Sequence, residues 1–321
     1  MTSSELRIAL VGCGNWGRHI LRDLRELGAH VTVVARSEAT IERARAGGAE
    51  AIVDDVGALR PGSIDGVVVA TPTITHGDVI ASVLPLDVPV FVEKPMTADL
   101  ASARALVATA GDRIFVMDKW RYHPGIETLG ALARSGTYGA LQGVETTRHQ
   151  WGNIHRDVDV VWILAPHDLS IGVEILGHLP SPVSAVAERS QGQLSGLRAT
   201  LGSGRPGDAE WLTLSVSSRS PVWNRGVLVH TDSAVLALHD SYDDHVAVYP
   251  SSGLTFGDPP PPERIPVSTE FPLRRELDAF LGHLAGGPPP KTSATDGLAS
   301  IECIVALRSL AGIEPDAGDT P

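Results

Sequence analysis

The sequence predicts an α/β chain. A doubly wound parallel sheet comes first, followed by an α+β domain with a large, mainly antiparallel, open-faced sheet. Three observations carry this reading. Short β-branched runs alternate with helical stretches over residues 1–120, a glycine-rich turn joins the first strand to the first helix, and the texture changes after Lys119. At 321 residues the chain can hold two cores, because single cores rarely grow past ~250–300 residues.

The expected strands of the first domain are Ile8–Val11, Val31–Val34, Ala51–Val53, Val67–Ala70, Val90–Val92 and Ile114–Val116. Between them, Trp16–Leu27, Ile41–Arg45, Val79–Leu84 and Leu100–Thr109 read as helices. Apolar strands alternating with helices mark a parallel sheet covered on both faces. Further on, a helix over Gly125–Arg134 ends at the stop Ser135-Gly136-Thr137-Tyr138-Gly139, and another spans His167–Leu176. Trp211–Ser217, Gly226–His230, Val235–His239 and Val246–Tyr249 read as strands, which suggests an antiparallel sheet. Pro259–Pro262 breaks the pattern before two terminal helices near Leu273–Leu284 and Gly297–Leu310. The expected domains are residues 1–120, a dinucleotide-binding domain, and 121–321, a substrate-binding and oligomerisation domain, with the terminal helices free to pack back on the first.

Composition narrows the class. The net charge is −12 with no Lys/Arg stripe, which argues against nucleic acid and anionic membrane as partners, since both need clustered positive charge. Cys13 and Cys303 form no metal-ligand spacing and read as free thiols. The start, Met1 to Arg7, has no signal-peptide apolar region, and no apolar run approaches a membrane span of ~20 residues. The expected location is the cytoplasm.

Gly12-Cys13-Gly14-Asn15-Trp16-Gly17 follows a strand and opens a helix. In such a loop Gly12 permits the tight turn, Gly14 lets backbone approach a pyrophosphate, and Gly17 packs helix closely on strand. The phosphates then lie at the positive end of the helix. This is the fingerprint of a Rossmann dinucleotide site. An NAD site places Asp or Glu at the end of the second strand, whereas this chain has Ala35, Arg36 and Ser37. Arg36 suits a 2′-phosphate and Ser37 can donate to it. The expected cofactor is therefore NADP, with NAD less favoured.

Ala70-Thr71-Pro72 with His76, and Glu93-Lys94-Pro95 at the end of the fifth strand, complete the set. Together with the glycine loop, Arg121-Tyr122-His123-Pro124, the Ser135–Gly139 turn and Thr295-Asp296-Gly297, they resemble the glucose–fructose oxidoreductase/inositol dehydrogenase/rhizopine catabolism (Gfo/Idh/MocA) family over nearly the whole chain. The resemblance implies that Thr71, Pro72, His76 and Glu93 border the cofactor, and that Lys94 meets both the nicotinamide and the reacting oxygen. A lysine enclosed beside that cationic ring has a lowered pKa and suits acid/base work near neutral pH. A cis bond at Pro95 would aim Lys94 inward.

The segment Trp162 to Ser170 resembles the family's second catalytic segment, which makes His167 the partner of Lys94. The family's acidic residue four positions earlier is Ile163 here, and Asp168 or Asp159 are the candidates to compensate. Arg121, Trp151, Asn153, His155 and Asp168 are candidate substrate contacts, a plain surface loop being the alternative for the middle three. His149, His155 and His167 with Asp157 and Asp159 match no zinc spacing, so no metal is expected. The resemblance also implies a homodimer or homotetramer and a sugar-like small-molecule substrate, including nucleotide-linked or modified sugars. Two alternatives stay open: a reductase of a non-sugar C=O or C=N bond, and a non-catalytic NADP-binding sensor.

Overall fold

A computed structural model of the chain describes residues 5–153, 157–202, 210–252 and 256–313. It divides into two compact units. The first holds residues 5–119 together with Phe271–Ile301, and the second holds the described residues of Trp120–Glu270 together with residues 302–313.

The first unit contains β1 (Arg7–Val11), α1 (Gly17–Glu26), β2 (His30–Val34), α2 (Glu38–Ala46), β3 (Ala51–Val53), β4 (Gly66–Val69), α3 (His76–Val83), β5 (Val90–Glu93), α4 (Leu100–Ala110) and β6 (Ile114–Met117). The six strands are parallel in the order β3-β2-β1-β4-β5-β6. The order reverses between β1 and β4, and ligands bind such sheets at the carboxyl ends of the strands at that reversal. Every residue of β4 and β6 is buried, as two-sided cover demands.

The second unit contains α5 (Pro124–Arg134), β7 (Leu141–Trp151), α6 (Val160–Leu176), β8 (Pro182–Ser190), β9 (Gln193–Leu201), β10 (Trp211–Ser217), β11 (Arg219–Asn224), β12 (Val227–Thr231), β13 (Ala234–Leu238), β14 (His245–Pro250) and β15 (Glu263–Pro266). They form one sheet, β15-β14-β13-β12-β7-β10-β9-β8, with β11 also pairing β7. Among the described residues of this sheet, only the β7–β10 pair is parallel. Alternation along β7 sorts its side chains: Val144, Thr146 and Arg148 are buried, while Glu145, Thr147 and His149 are not. Helix α6 covers the buried face closely. A Cβ at Gly172 would lie 2.6 Å from Leu212 Cδ2. The opposite face is polar, and a cavity of about 320 Å³ there is lined by Glu145, Arg198, Thr200 and Ser215 among others. Neither Lys94 nor His167 lines it.

Two helices complete the chain, α7 (Pro272–Leu284) and α8 (Ala294–Leu310). Leu273, Leu277, Phe280 and Leu281 of α7 enter the core of the first unit beside Leu10, Val33 and Phe91. Phe280 stacks on Phe91 with ring centroids 4.8 Å apart. Gly66 lets α7 approach β4, since a Cβ there would lie 2.7 Å from Leu284 Cδ1.

Several elements depart from the sequence expectation. Strands β8, β11 and β15 carry no clear apolar alternation, so pattern alone did not reveal them; β9 does alternate, with Leu197, Ala199 and Leu201 buried and Arg198 exposed, and is absent from the expected strands. β8 and β9 are joined by Gln191 and Gly192, both at positive φ, the geometry of a tight hairpin. β7 is long and polar at its end, so Trp151 terminates a strand instead of lying in a loop. Helix α6 starts at Val160 and not at His167, with Pro166 inside it. Proline removes one helical hydrogen bond, but Asp159 caps the helix by accepting from Val161 N at 2.8 Å, and the segment is apolar enough to stay buried. Among the described residues no helix is long and apolar enough to cross a membrane.

Phe280→Ala is expected to destabilise the protein by about 3–5 kcal/mol through lost burial and the cavity left against Phe91. Denaturant unfolding of the variant checks this; a loss below ~1 kcal/mol would mean that α7 does not depend on this contact.

Candidate active site

The glycine loop has the geometry its residues predict. Gly12 sits at φ +95°, and a Cβ there would lie 2.7 Å from Ala70 O. A Cβ at Gly17 would lie 2.4 Å from Gly12 O, whereas one at Gly14 would meet nothing within 4 Å. The loop is therefore closed on its own fold at Gly12 and Gly17 and open at Gly14, the position where a pyrophosphate has to approach backbone. The residues present fit a dinucleotide. Asn15 and Trp16 are exposed beside it.

Side chains tie this loop to its neighbours. The Trp16 indole N–H donates to Glu93 Oε1, and Lys119 Nζ stands 4.9 Å from the centre of the Trp16 ring. His76, the first residue of α3, is buried. Its Nδ1 lies 2.8 Å from Pro95 O and its Nε2 lies 2.9 Å from Thr71 O. The ring lies between the Thr71-Pro72 turn and the Lys94-Pro95 turn. Thr71 Oγ1 accepts from Thr75 Oγ1 at 2.8 Å, and Pro72 is exposed. The Lys94–Pro95 bond is cis. Lys94 is half-buried between a buried strand and the buried residues Pro95, Met96 and Thr97.

Arg36 and Ser37 have partners of their own. Arg36 Nη2 pairs with Asp55 Oδ2 at 2.6 Å, with the two side chains 76% and 58% exposed, and its Nε donates to Asp54 O at 3.2 Å. Ser37 is the N-cap of α2, its Oγ accepting from Thr40 N at 3.3 Å. The Gly57 N–H and the Arg36 guanidinium hold the Asp55 carboxyl below its ordinary pKa.

Glu276 on α7 was not anticipated from sequence. It is 1% exposed. Burial, reinforced by the negative charges of Glu93 and Asp118, pushes its carboxyl well above the ordinary range, against the pull of Lys119 and Lys94. The only sequence signal was a glutamate on the apolar side of the helix, one place before Leu277.

In the second unit, His167 is the one residue from Val160 to Gly172 that is not buried. The Trp120 ring meets it edge-on at 6.1 Å. Ile163, one turn earlier, is buried. Both aspartates named as candidates to compensate have partners of their own. Asp159 caps α6 and pairs with Arg308 Nη1. Asp168 is fully buried, and its Oδ2 accepts from Arg148 Nε at 2.9 Å. Asp168 therefore anchors Arg148 instead of facing solvent, contrary to its expected role as a substrate contact. Arg148 in turn stacks on Trp120 at 4.5 Å. Arg121 is also engaged, its Nε donating to Glu174 Oε2 at 3.3 Å. Trp151 is 74% exposed and Asn153 half-buried; His155 lies outside the described residues. His149 pairs with Ser215 Oγ at 2.8 Å on the polar face of the sheet.

Comparison with known proteins agrees with this fold. Residues 6–115 match the oxidoreductase family with an NAD-binding Rossmann fold (GFO_IDH_MocA). The chain is similar to an inositol 2-dehydrogenase of Pseudarthrobacter chlorophenolicus, 33% identical over 43% of this chain and 44% of that protein. The match thus spans under half the length of that curated relative. Its fold is similar to that of the UDP-N-acetylglucosamine 3-dehydrogenase of Acidithiobacillus ferrooxidans, with a TM-score of 0.80 at 21% identity, covering 96% of this chain and 99% of the other. An oxidoreductase of Agrobacterium radiobacter, solved with NAD+, L-tartaric acid and magnesium, gives 0.82 at 18% identity, covering 96% of each chain.

Two outcomes are expected from the buried charges. Arg148→Met strands the Asp168 carboxylate and should cost about 3–5 kcal/mol, most of it recovered when Asp168→Leu is added; denaturant unfolding of the single and double variants reads this directly. Glu276 keeps its proton in the folded state after the unfolded chain has lost it. Its contribution is therefore complete below pH ~4.3 and declines as the pH rises towards the raised folded value. Relative to wild type, Glu276→Gln should gain stability between pH 5 and pH 8 (roughly the window above the ordinary carboxyl pKa), and a pH-independent difference would refute the assignment.

Proposed function

We propose that this chain, a member of the Gfo/Idh/MocA oxidoreductase family through its residues 6–115, is an NADP-dependent enzyme acting on a sugar-like secondary alcohol or ketone. The observation that supports this most directly is the convergence of three segments at one sheet edge. The open glycine loop, the Thr71-Pro72 turn and the Glu93-Lys94-Pro95 turn are joined there by Trp16 and His76. The relatives and structural neighbours named above as sugar or polyol dehydrogenases support the substrate class.

When bound, the nicotinamide supplies or accepts the hydride. In the reductive direction Lys94 donates a proton to the carbonyl oxygen, and in the oxidative direction it takes the proton from the hydroxyl. His167, the one accessible side chain of its helix segment, orients that oxygen or shares the proton. With Ile163 where the family has an acid, and with Asp159 and Asp168 engaged elsewhere, the proton passes through fewer carboxylates. Glycine-loop backbone and the exposed Asn15 and Trp16 take the dinucleotide, and Arg36 takes the 2′-phosphate. The Arg36–Asp55 pair is exposed, and such pairs are worth only ~0–1 kcal/mol, so a bidentate phosphate can displace Asp55. Among the remaining candidates, Arg121, Trp151, Asn153 and His155 border the substrate. The enzyme assembles as a homodimer or homotetramer.

The test is a fluorescence titration with NADPH and NADH. Wild type should prefer NADPH, and Arg36→Ala should lose roughly tenfold or more in NADPH affinity. With a turned-over keto sugar, Lys94→Ala should lower kcat by about 10²–10⁴. Equal affinity for both nucleotides would refute the NADP assignment alone, and Lys94-independent turnover would refute the role of Lys94.

A further inference from the structure

Arg225 lies in the two-residue link between β11 and β12, and no part of the function described so far uses it. Its backbone position is fixed from both sides. Asn224 Oδ1 accepts from Gly226 N at 3.0 Å, and Gly226 O accepts from Thr147 N at 2.9 Å. Asn224 pairs with His149 and Val227 with Thr146, so the link runs alongside Arg148 and Thr147.

The side chain is half-buried, with Nε shielded from solvent and no hydrogen-bond partner among the described residues. Its guanidinium lies over the Trp223 ring at 4.2 Å, and no described carboxylate comes within ion-pair distance of it. The nearby carboxylate of Asp168 already serves Arg148 at 2.9 Å. Asp240 and Asp168 act on Arg225 only through space, from beyond ion-pair distance. Burial and the positive charge of Arg148 both press on Arg225 to give up its own charge. An arginine over an indole keeps its N–H edge available, and that planar fork matches a carboxylate or phosphate through two parallel hydrogen bonds. An unpaired, half-buried cation costs stability unless something outside the fold pairs with it.

We propose that Arg225 is a specificity-determining residue that pairs with an anionic group on the substrate, a carboxylate or a phosphate, with Trp223 as its platform. The inference rests on the proposed reading of the second unit as the substrate domain. It narrows the substrate to acidic or phosphorylated sugars, nucleotide-linked ones included, and disfavours neutral polyols.

The experiment is calorimetric titration of the NADPH-loaded full chain with D-glucuronate, glucose 1-phosphate, UDP-glucose and, as neutral control, myo-inositol. Wild type, Arg225→Gln and Arg225→Lys are compared at matched thermal midpoints. At least one anionic probe should bind wild type roughly tenfold or more tightly than myo-inositol. That advantage should vanish in Arg225→Gln, return in part in Arg225→Lys, and leave the myo-inositol affinity unchanged. D-glucuronate in that role identifies a carboxylate, glucose 1-phosphate a monoester, and UDP-glucose alone a diphosphate. If no anionic probe binds wild type better than the control, or Arg225→Gln binds it as wild type does, the assignment is overturned. Because binding is read without turnover, Arg225-dependent binding with no hydride transfer would sink the proposed enzyme activity and leave this inference standing.

Discussion

A buried imidazole holds together the carboxyl edge of the first sheet. The two ring nitrogens of His76 face carbonyl oxygens belonging to separate loops, at Thr71 and Pro95. Each loop follows a different strand, so neither could fix the other through the sheet ladder alone. Buried carbonyl groups need partners, and the imidazole offers an N–H to this pair of loops. Trp16 extends the same linkage to the glycine loop through Glu93. The three segments that a dinucleotide would touch are therefore braced against one another before any ligand arrives. Bracing of this kind lowers the cost of ordering a site upon binding.

The second unit solves a different problem, that of keeping charge inside. Arg148 points from a central strand toward helix α6, where burial without a partner would be prohibitive. Asp168 meets it from the helix, and its guanidinium lies over the Trp120 ring. The adjacent His167 is the point at which the otherwise buried helix segment reaches solvent. Replacing such a pair by apolar residues is often neutral or stabilising. Its retention here is coherent with a need to hold charge and aromatic surface close to His167.

Backbone requirements were legible in the sequence, and long-range pairings were not. Gly12, Gly14 and Gly17 announce themselves because only their spacing after a strand satisfies the turn, the approach and the packing. The Glu93-Lys94-Pro95 turn was legible only through the family resemblance, in the company of the glycine loop and the other motifs. His76 was visible as a residue of interest but not in its role, because one of its partners lies 19 residues further along the chain. The polar end of β7 read as a loop, which hid the inward course of Arg148. β8 escaped notice because its residues are alternately exposed and half-buried, with no apolar stripe. The helix expected from His167 begins seven residues earlier, where Asp159 caps it. Arg225 carries no pattern at all, and only the register of β11 and β12 against β7 brings it beside Arg148.

The contrast among the three loop glycines separates two kinds of selection. A side chain at Gly12 or Gly17 collides with the protein's own backbone, so those positions are guarded by folding whether or not a nucleotide is ever bound. At Gly14 the backbone is at an ordinary φ and the space beyond is empty. Nothing in the fold forbids a larger residue there. In a lineage that ceased to use the nucleotide, Gly14 would be the first of the three free to drift, while its two neighbours stayed glycine for architectural reasons alone.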